Sequence, residues 1–292
     1  MKKSDIMNKS IDHFGSGYFL IFIFTSLFIS FLAFDVHAQG NLLITPRRVV
    51  FEGKKQSQEL NLANTGKDTA KYNVSIVQYR MKEDGAFEEI TTPDEGQNFA
   101  DKFIRFFPRS VTLAPNESQV VKMQLIKTDQ LKPGEYRSHI YFRSVPKQTA
   151  LGIEEKQKDS TAIGVKLIPI FGITIPVIIH SGESTTNVTL SDLKLNIIND
   201  TIPRLQMAFN RTGNMSVYGD LLVEYISGQG ETKPIGTVKG IAVYTPNLIR
   251  RFQMDLDNKN KVDYHSGTIR ITYSAQSDVK PEKYAEAELK LP

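Results

Sequence analysis

Ala162-Ile163-Gly164-Val165-Lys166-Leu167-Ile168-Pro169-Ile170-Phe171-Gly172-Ile173-Thr174-Ile175-Pro176-Val177-Ile178-Ile179 is the stretch whose reading decides the fold. It is too apolar for a linker. A membrane helix would need about 20 apolar residues, and this shorter run is interrupted by Lys166, Pro169, Gly172 and Pro176. Interior prolines and β-branched residues both argue against helix. Ile163, Val165 and Leu167, then Phe171, Ile173 and Ile175, alternate with a period of two, which predicts a long strand with one hydrophobic face. Pro169 fits a strand only at an edge or a bulge. An apolar edge is normally blunted by charge, and here Lys166 alone supplies it. The edge is therefore either covered or made to pair with another chain; an ordinary core strand leading into a second domain is the alternative.

Around this stretch the chain reads as globular and extracytoplasmic. Its 292 residues allow two domains, with 40% hydrophobic and 23% charged residues. A formal charge of +4, spread without a dense basic block, does not point to nucleic acid. Lys2, Lys3 and Lys9 precede the apolar run from Tyr18 to Phe34, and Val36-His37-Ala38 ends in small residues before Gln39. Residues 1–38 are accordingly expected to be a cleaved export signal, with a retained membrane anchor as the alternative. Cysteine is absent, which excludes a disulfide framework, a thiolate metal site and a lipidated cysteine after the signal.

From Leu42 to Val145 short alternating runs are separated by turn residues, the pattern of an all-β sandwich. Leu42 to Phe51 is expected as a first strand, Gln56 to Ala63 as a second, and Lys82 to Asp101 as a surface loop. Leu131-Lys132-Pro133-Gly134-Glu135-Tyr136 precedes a strand over Arg137 to Val145 and has the form of a tyrosine corner, whose hydroxyl bonds to upstream backbone. Lys147 to Thr161 is polar and is read as a mobile loop. A second series then runs through Val188–Ile198, Leu205–Phe209, Val217–Tyr225, Ile241–Tyr244, Leu248–Leu256, Thr268–Tyr273 and Tyr284–Leu291, which predicts a second, smaller β-sandwich.

The arrangements that catalysis requires are missing. There is no His-Glu-x-x-His, no Gly-x-Ser-x-Gly and no phosphate-cradling glycine loop. His139 and His180 have no further ligand at metal-binding spacing and read as strand-surface or hinge residues. Glu83, Asp84, Glu88 and Glu89 read as a solvated acidic run. No enzyme, cofactor or metal site is expected.

Taken in order, several segments resemble the PapD-like periplasmic pilus chaperones. They are Arg48-Val49-Val50-Phe51-Glu52-Gly53; Phe107-Pro108 with Val111, Leu113, Pro115 and the strand Gln119 to Leu125; Leu131 to Arg137; and the strand ending Tyr141-Phe142-Arg143-Ser144-Val145-Pro146. The resemblance covers Leu42 to Pro176, and beyond that only the number of strands agrees. It implies two immunoglobulin-like domains, over 39–178 and 179–292, and a periplasmic chaperone that completes a pilin-like or surface-fibre subunit with its own edge strand. That donor strand would carry Ile163, Val165, Leu167, Ile168 and Ile170. The same resemblance implies that Arg48 binds the subunit's terminal carboxylate, for which its forked guanidinium is suited. The family's second basic residue would fall near Ile170 or Phe171, neither of which is basic, so Lys166 is the candidate substitute. Delivery to an outer-membrane assembly component and self-association through the exposed strand are further implied partners. An extracytoplasmic adhesion or scaffold protein without a client is the alternative function.

Overall fold

In this computed structural model, residues 42–146, 170–257, 262–276 and 282–292 are described. The expected export signal, the polar loop after Pro146, and Ile163, Val165, Lys166, Leu167 and Ile168 of the expected donor strand lie outside them. Every regular element of more than a single turn is a strand, as the alternation predicts.

Among the described residues the first sandwich contains ten strands. They are β1 (Leu42–Thr45), β2 (Val49–Phe51), β3 (Ser57–Asn64), β4 (Ala70–Met81), β5 (Phe87–Ile90), β6 (Ile104–Phe107), β7 (Ser110–Leu113), β8 (Ser118–Leu125), β9 (Gly134–Val145) and β10 (Gly172–Ser181). One sheet has the order β1-β3-β8-β6; the other has β2-β10-β9-β4-β5, with β7 also against β4. Residues pointing inward from both sheets, among them Phe51, Leu60, Leu62, Leu113, Met123 and Phe142, form one buried core. The second sandwich has β11 (Asn187–Ile198), β12 (Ile202–Thr212), β13 (Val217–Ile226), β14 (Thr232–Val243), β15 (Ile249–Asp255), β16 (Thr268–Ala275) and β17 (Lys283–Lys290). Its sheets run β11-β12-β15 and β14-β13-β16-β17, and its separate core is built on Leu205, Phe209, Leu221, Val223, Ile271 and Tyr273.

Two expectations are corrected. Leu42 to Phe51 is not one strand: β1 pairs antiparallel with β3, while β2 pairs parallel with β10 in the opposite sheet. Pro46, without an N–H, cannot continue the first ladder, and the chain crosses between sheets there. The segment Lys82 to Asp101 is not all loop, because Phe87–Ile90 folds back on Gln78–Met81 as a hairpin. Its acidic pair Glu88-Glu89 masks a strand with only two apolar residues. The expected tyrosine corner is present: Lys132 N donates to the Tyr136 hydroxyl at 2.9 Å, and the ring is buried beside Phe103 at 5.1 Å between centroids.

Of the organising stretch, the part from Ile170 onward is described. Ile175, Val177 and Ile179 belong to the first core, so this part is the core strand of the alternative reading. β10 pairs with β9 throughout, from Gly172↔Arg143 to Ser181↔Gly134. β2 covers its other side only over Val177–Ile179. Among the described residues, Gly172 to Pro176 therefore has no strand on the side away from β9, and Pro176, which lacks a donor, marks the junction. Just upstream Ile170 and Phe171 are 46% and 42% exposed. A Cβ at Gly172 would lie 2.2 Å from the Tyr141 ring, which covers the glycine from the neighbouring strand and would have to move to admit a side chain.

Candidate functional site

The residues with unusual electrostatics gather where the two sandwiches meet, and Glu135 on β9 is their centre. Its side chain is fully buried. Oε1 accepts from Arg137 Nε at 2.8 Å and from Ser216 Oγ at 2.7 Å, and Oε2 accepts from Ser216 N at 2.8 Å. Ser216 belongs to the second sandwich, so one carboxylate joins both. His180, at the end of β10, places Nε2 3.5 Å from Glu135 Oε2 and Nδ1 3.7 Å from Glu52 Oε2. Burial pushes the Glu135 carboxyl up, but Arg137, His180 and Ser216 together outweigh it and hold the group well below the usual carboxylate range.

Arg137 also lies over the Tyr244 ring at 3.7 Å. Tyr244 packs on Phe87 of the unexpected hairpin at 5.4 Å between centroids, and His139 packs edge-on against Tyr79 at 5.0 Å. His139 is not a surface histidine. It is 5% exposed, its Nδ1 has no hydrogen-bond partner, and burial together with the Arg137 charge pushes its pKa down to about 3. The hairpin completes the junction. Arg251 N donates to Glu83 O at 2.7 Å, their side chains pair at 3.4 Å, and Asn247 Nδ2 donates to Met81 O at 2.6 Å. The Glu83 carbonyl thus docks the second sandwich, while its side chain, like those of Asp84, Glu88 and Glu89, stays exposed as a solvated run. Gly85, with φ +84°, lies under Arg250, whose guanidinium would be 2.5 Å from a Cβ added there.

Arg48, immediately before β2, reaches the same junction. Its guanidinium carbon stands 4.0 Å from the centroid of the Tyr218 ring on β13. Nε is buried without a hydrogen-bond partner, and among the described residues no acid forms an ion pair with it. Burial and then Arg137 lower its pKa. Arg48 is consequently a half-buried cation whose forked head is not committed to an acid. A carboxylate is the chemistry that such a group takes.

The parallel register Val177↔Val49 makes Pro176 the residue level with Arg48. Ile170 is six positions up the strand, about 20 Å away at the usual rise, so the basic partner expected near Ile170 or Phe171 would not share one carboxylate with Arg48. Lys166 itself is outside the described residues. The sequence reading missed Glu135, Ser216, Tyr218 and Tyr244. Of these only Glu135 carried a signal, an acid directly before the corner tyrosine in a strand otherwise bound for the core.

No family model matches the sequence. No curated protein is similar to it at a significant level. Among solved structures, the chain is similar to the YadV chaperone with 13% identity and a TM-score of 0.45, over 86% of this chain and 100% of that one. It is also similar to the CsuC–CsuE chaperone–tip adhesion subunit pre-assembly complex of Acinetobacter baumannii, with 11% identity and a TM-score of 0.40, over 73% of this chain and 90% of that one. A third likeness is to the Salmonella enterica SafA pilin in complex with the SafB chaperone, with 12% identity and a TM-score of 0.40, over 88% of this chain and 99% of that one.

Proposed function

We propose that the protein is a periplasmic chaperone that binds an incomplete pilin-like or surface-fibre subunit by adding an edge strand to it. One observation carries this reading: the uncovered side of β10 from Gly172 to Pro176 ends level with Arg48, a half-buried cation with no acid partner among the described residues. An open strand edge offers a row of backbone donors and acceptors. A cation at its end fixes where a client's terminal carboxylate stops. Upstream, Ile163, Val165, Leu167, Ile168 and Ile170 supply the side chains that enter the client's open core. The role is one of binding and delivery to an outer-membrane assembly component, without catalysis.

The test is to purify the mature protein from the cell envelope and to identify its partner by mass spectrometry. A partner lacking its final strand is expected. Replacement Arg48→Ala should reduce its capture about tenfold or more, the value of a lost charge-assisted hydrogen bond of ~1.5–3 kcal/mol. Capture that is unchanged in Arg48→Ala, with a partner held through surface loops, would replace this reading by that of an adhesion or scaffold protein.

A further inference from the structure

We infer that Tyr218, in the second sandwich, is a positioning residue for Arg48, so that carboxylate anchoring belongs to both domains. This rests on the chaperone reading above. Arg48 arises from β2 in the first sandwich, yet its guanidinium stands 4.0 Å over the Tyr218 ring. With Nε buried and unbonded, and with no ion pair to it among the described residues, the ring is the surface against which the cation rests. The ring reaches past Gly240. Gly240, at φ +75°, has no side chain, and a Cβ there would come within 2.8 Å of the Tyr218 hydroxyl.

Stacking has a specific consequence. A ring occupies a face of the planar guanidinium and leaves the in-plane fork of N–H groups available for bidentate binding of a carboxylate. Without the ring the long arginine side chain would sample several rotamers, and ordering it would fall to the ligand. The phenol hydroxyl is not needed for this, whereas the aromatic face is.

The probe is a fluorescein-labelled synthetic peptide of alternating valine and threonine, prepared with a free terminal carboxylate and as the terminal amide, titrated by fluorescence anisotropy. The wild-type protein should prefer the acid over the amide about tenfold. Tyr218→Leu should lose most of that preference with little change for the amide, and Tyr218→Phe should retain it. Tyr218→Leu that keeps the preference, or that weakens acid and amide equally, would overturn the inference while leaving Arg48 as the anchor. Arg48→Ala that keeps the preference, or a wild-type protein that binds neither peptide, would instead overturn the chaperone reading and the inference with it.

Discussion

His139 makes the stability of this protein depend on pH between 7 and 5. The imidazole is buried among Tyr79, Phe87 and Tyr244, and that burial, with the Arg137 charge, pushes its pKa from the ordinary 6.5 down to about 3. The unfolded chain therefore binds a proton on this residue at a pH where the folded chain does not. Stability from this residue is complete above the unfolded pKa and is lost as pH falls from there toward the folded one. One pKa unit corresponds to about 1.4 kcal/mol. Between pH 7 and pH 5 the shift works out at about 2 kcal/mol, because roughly one and a half units of that interval lie below the unfolded value. Chemical denaturation of wild type and His139→Phe at both pH values, followed by far-ultraviolet circular dichroism and tyrosine fluorescence, isolates this contribution. The difference in unfolding free energy between the two proteins should move by about 2 kcal/mol in favour of the variant on going to pH 5. A difference that stays constant across that interval would mean that the imidazole titrates normally in the folded state, and the buried, charge-opposed site described for it would be wrong.

Other expectations concern the junction and the organising strand. Glu135→Ala leaves Arg137 buried without its acid and should destabilise the protein by ~3–5 kcal/mol; calorimetry decides it, and a loss under 1 kcal/mol would remove the carboxylate from its central role. The Glu135 carboxyl is depressed, so its contribution is complete above the ordinary carboxylate range and is lost as pH falls through its folded value. Tyr136→Phe deletes the acceptor of the Lys132 N–H and should cost ~1–2 kcal/mol, visible as a lower denaturation midpoint. Ile175→Ala or Ile179→Ala, both in the first core, should cost ~2–5 kcal/mol in the free protein. Serine at Ile163, Val165 or Leu167 should leave its unfolding unchanged and weaken client capture; the reverse pattern would make the upstream segment core as well.

Much of this fold is written in local pattern. Strands of the second sandwich show plainly because Val217 to Tyr225 and Thr268 to Tyr273 alternate between core and solvent, and the turns between them are polar. Tyr136 shows because its corner depends on residues close by in sequence. The division of Leu42 to Phe51 does not show, since both halves alternate correctly and only their partners differ. At the site, Arg48 is legible as a cation beginning a strand, but its ring partner is not, because nothing local to Arg48 or Tyr218 records that they meet across a junction. The same holds for Glu135 and Ser216, which share two hydrogen bonds across that junction. His139 is hidden for a related reason: alternation says which face a residue takes, while Tyr79, the Phe87 hairpin and Tyr244 of the second sandwich decide whether that face is wet.

The parallel pairing of β2 with β10 also sets the order in which the chain can fold. Residue 49 finds its partner only when residue 177 is available, a closure across 128 residues (177 − 49). Until then the first sandwich lacks a strand in the middle of a sheet, and the edge of β9 that β10 will cover stands open. Such non-local closure is slow to form once the chain is complete. Before its own core closes, this chain passes through a stage in which it is a sandwich with a strand missing.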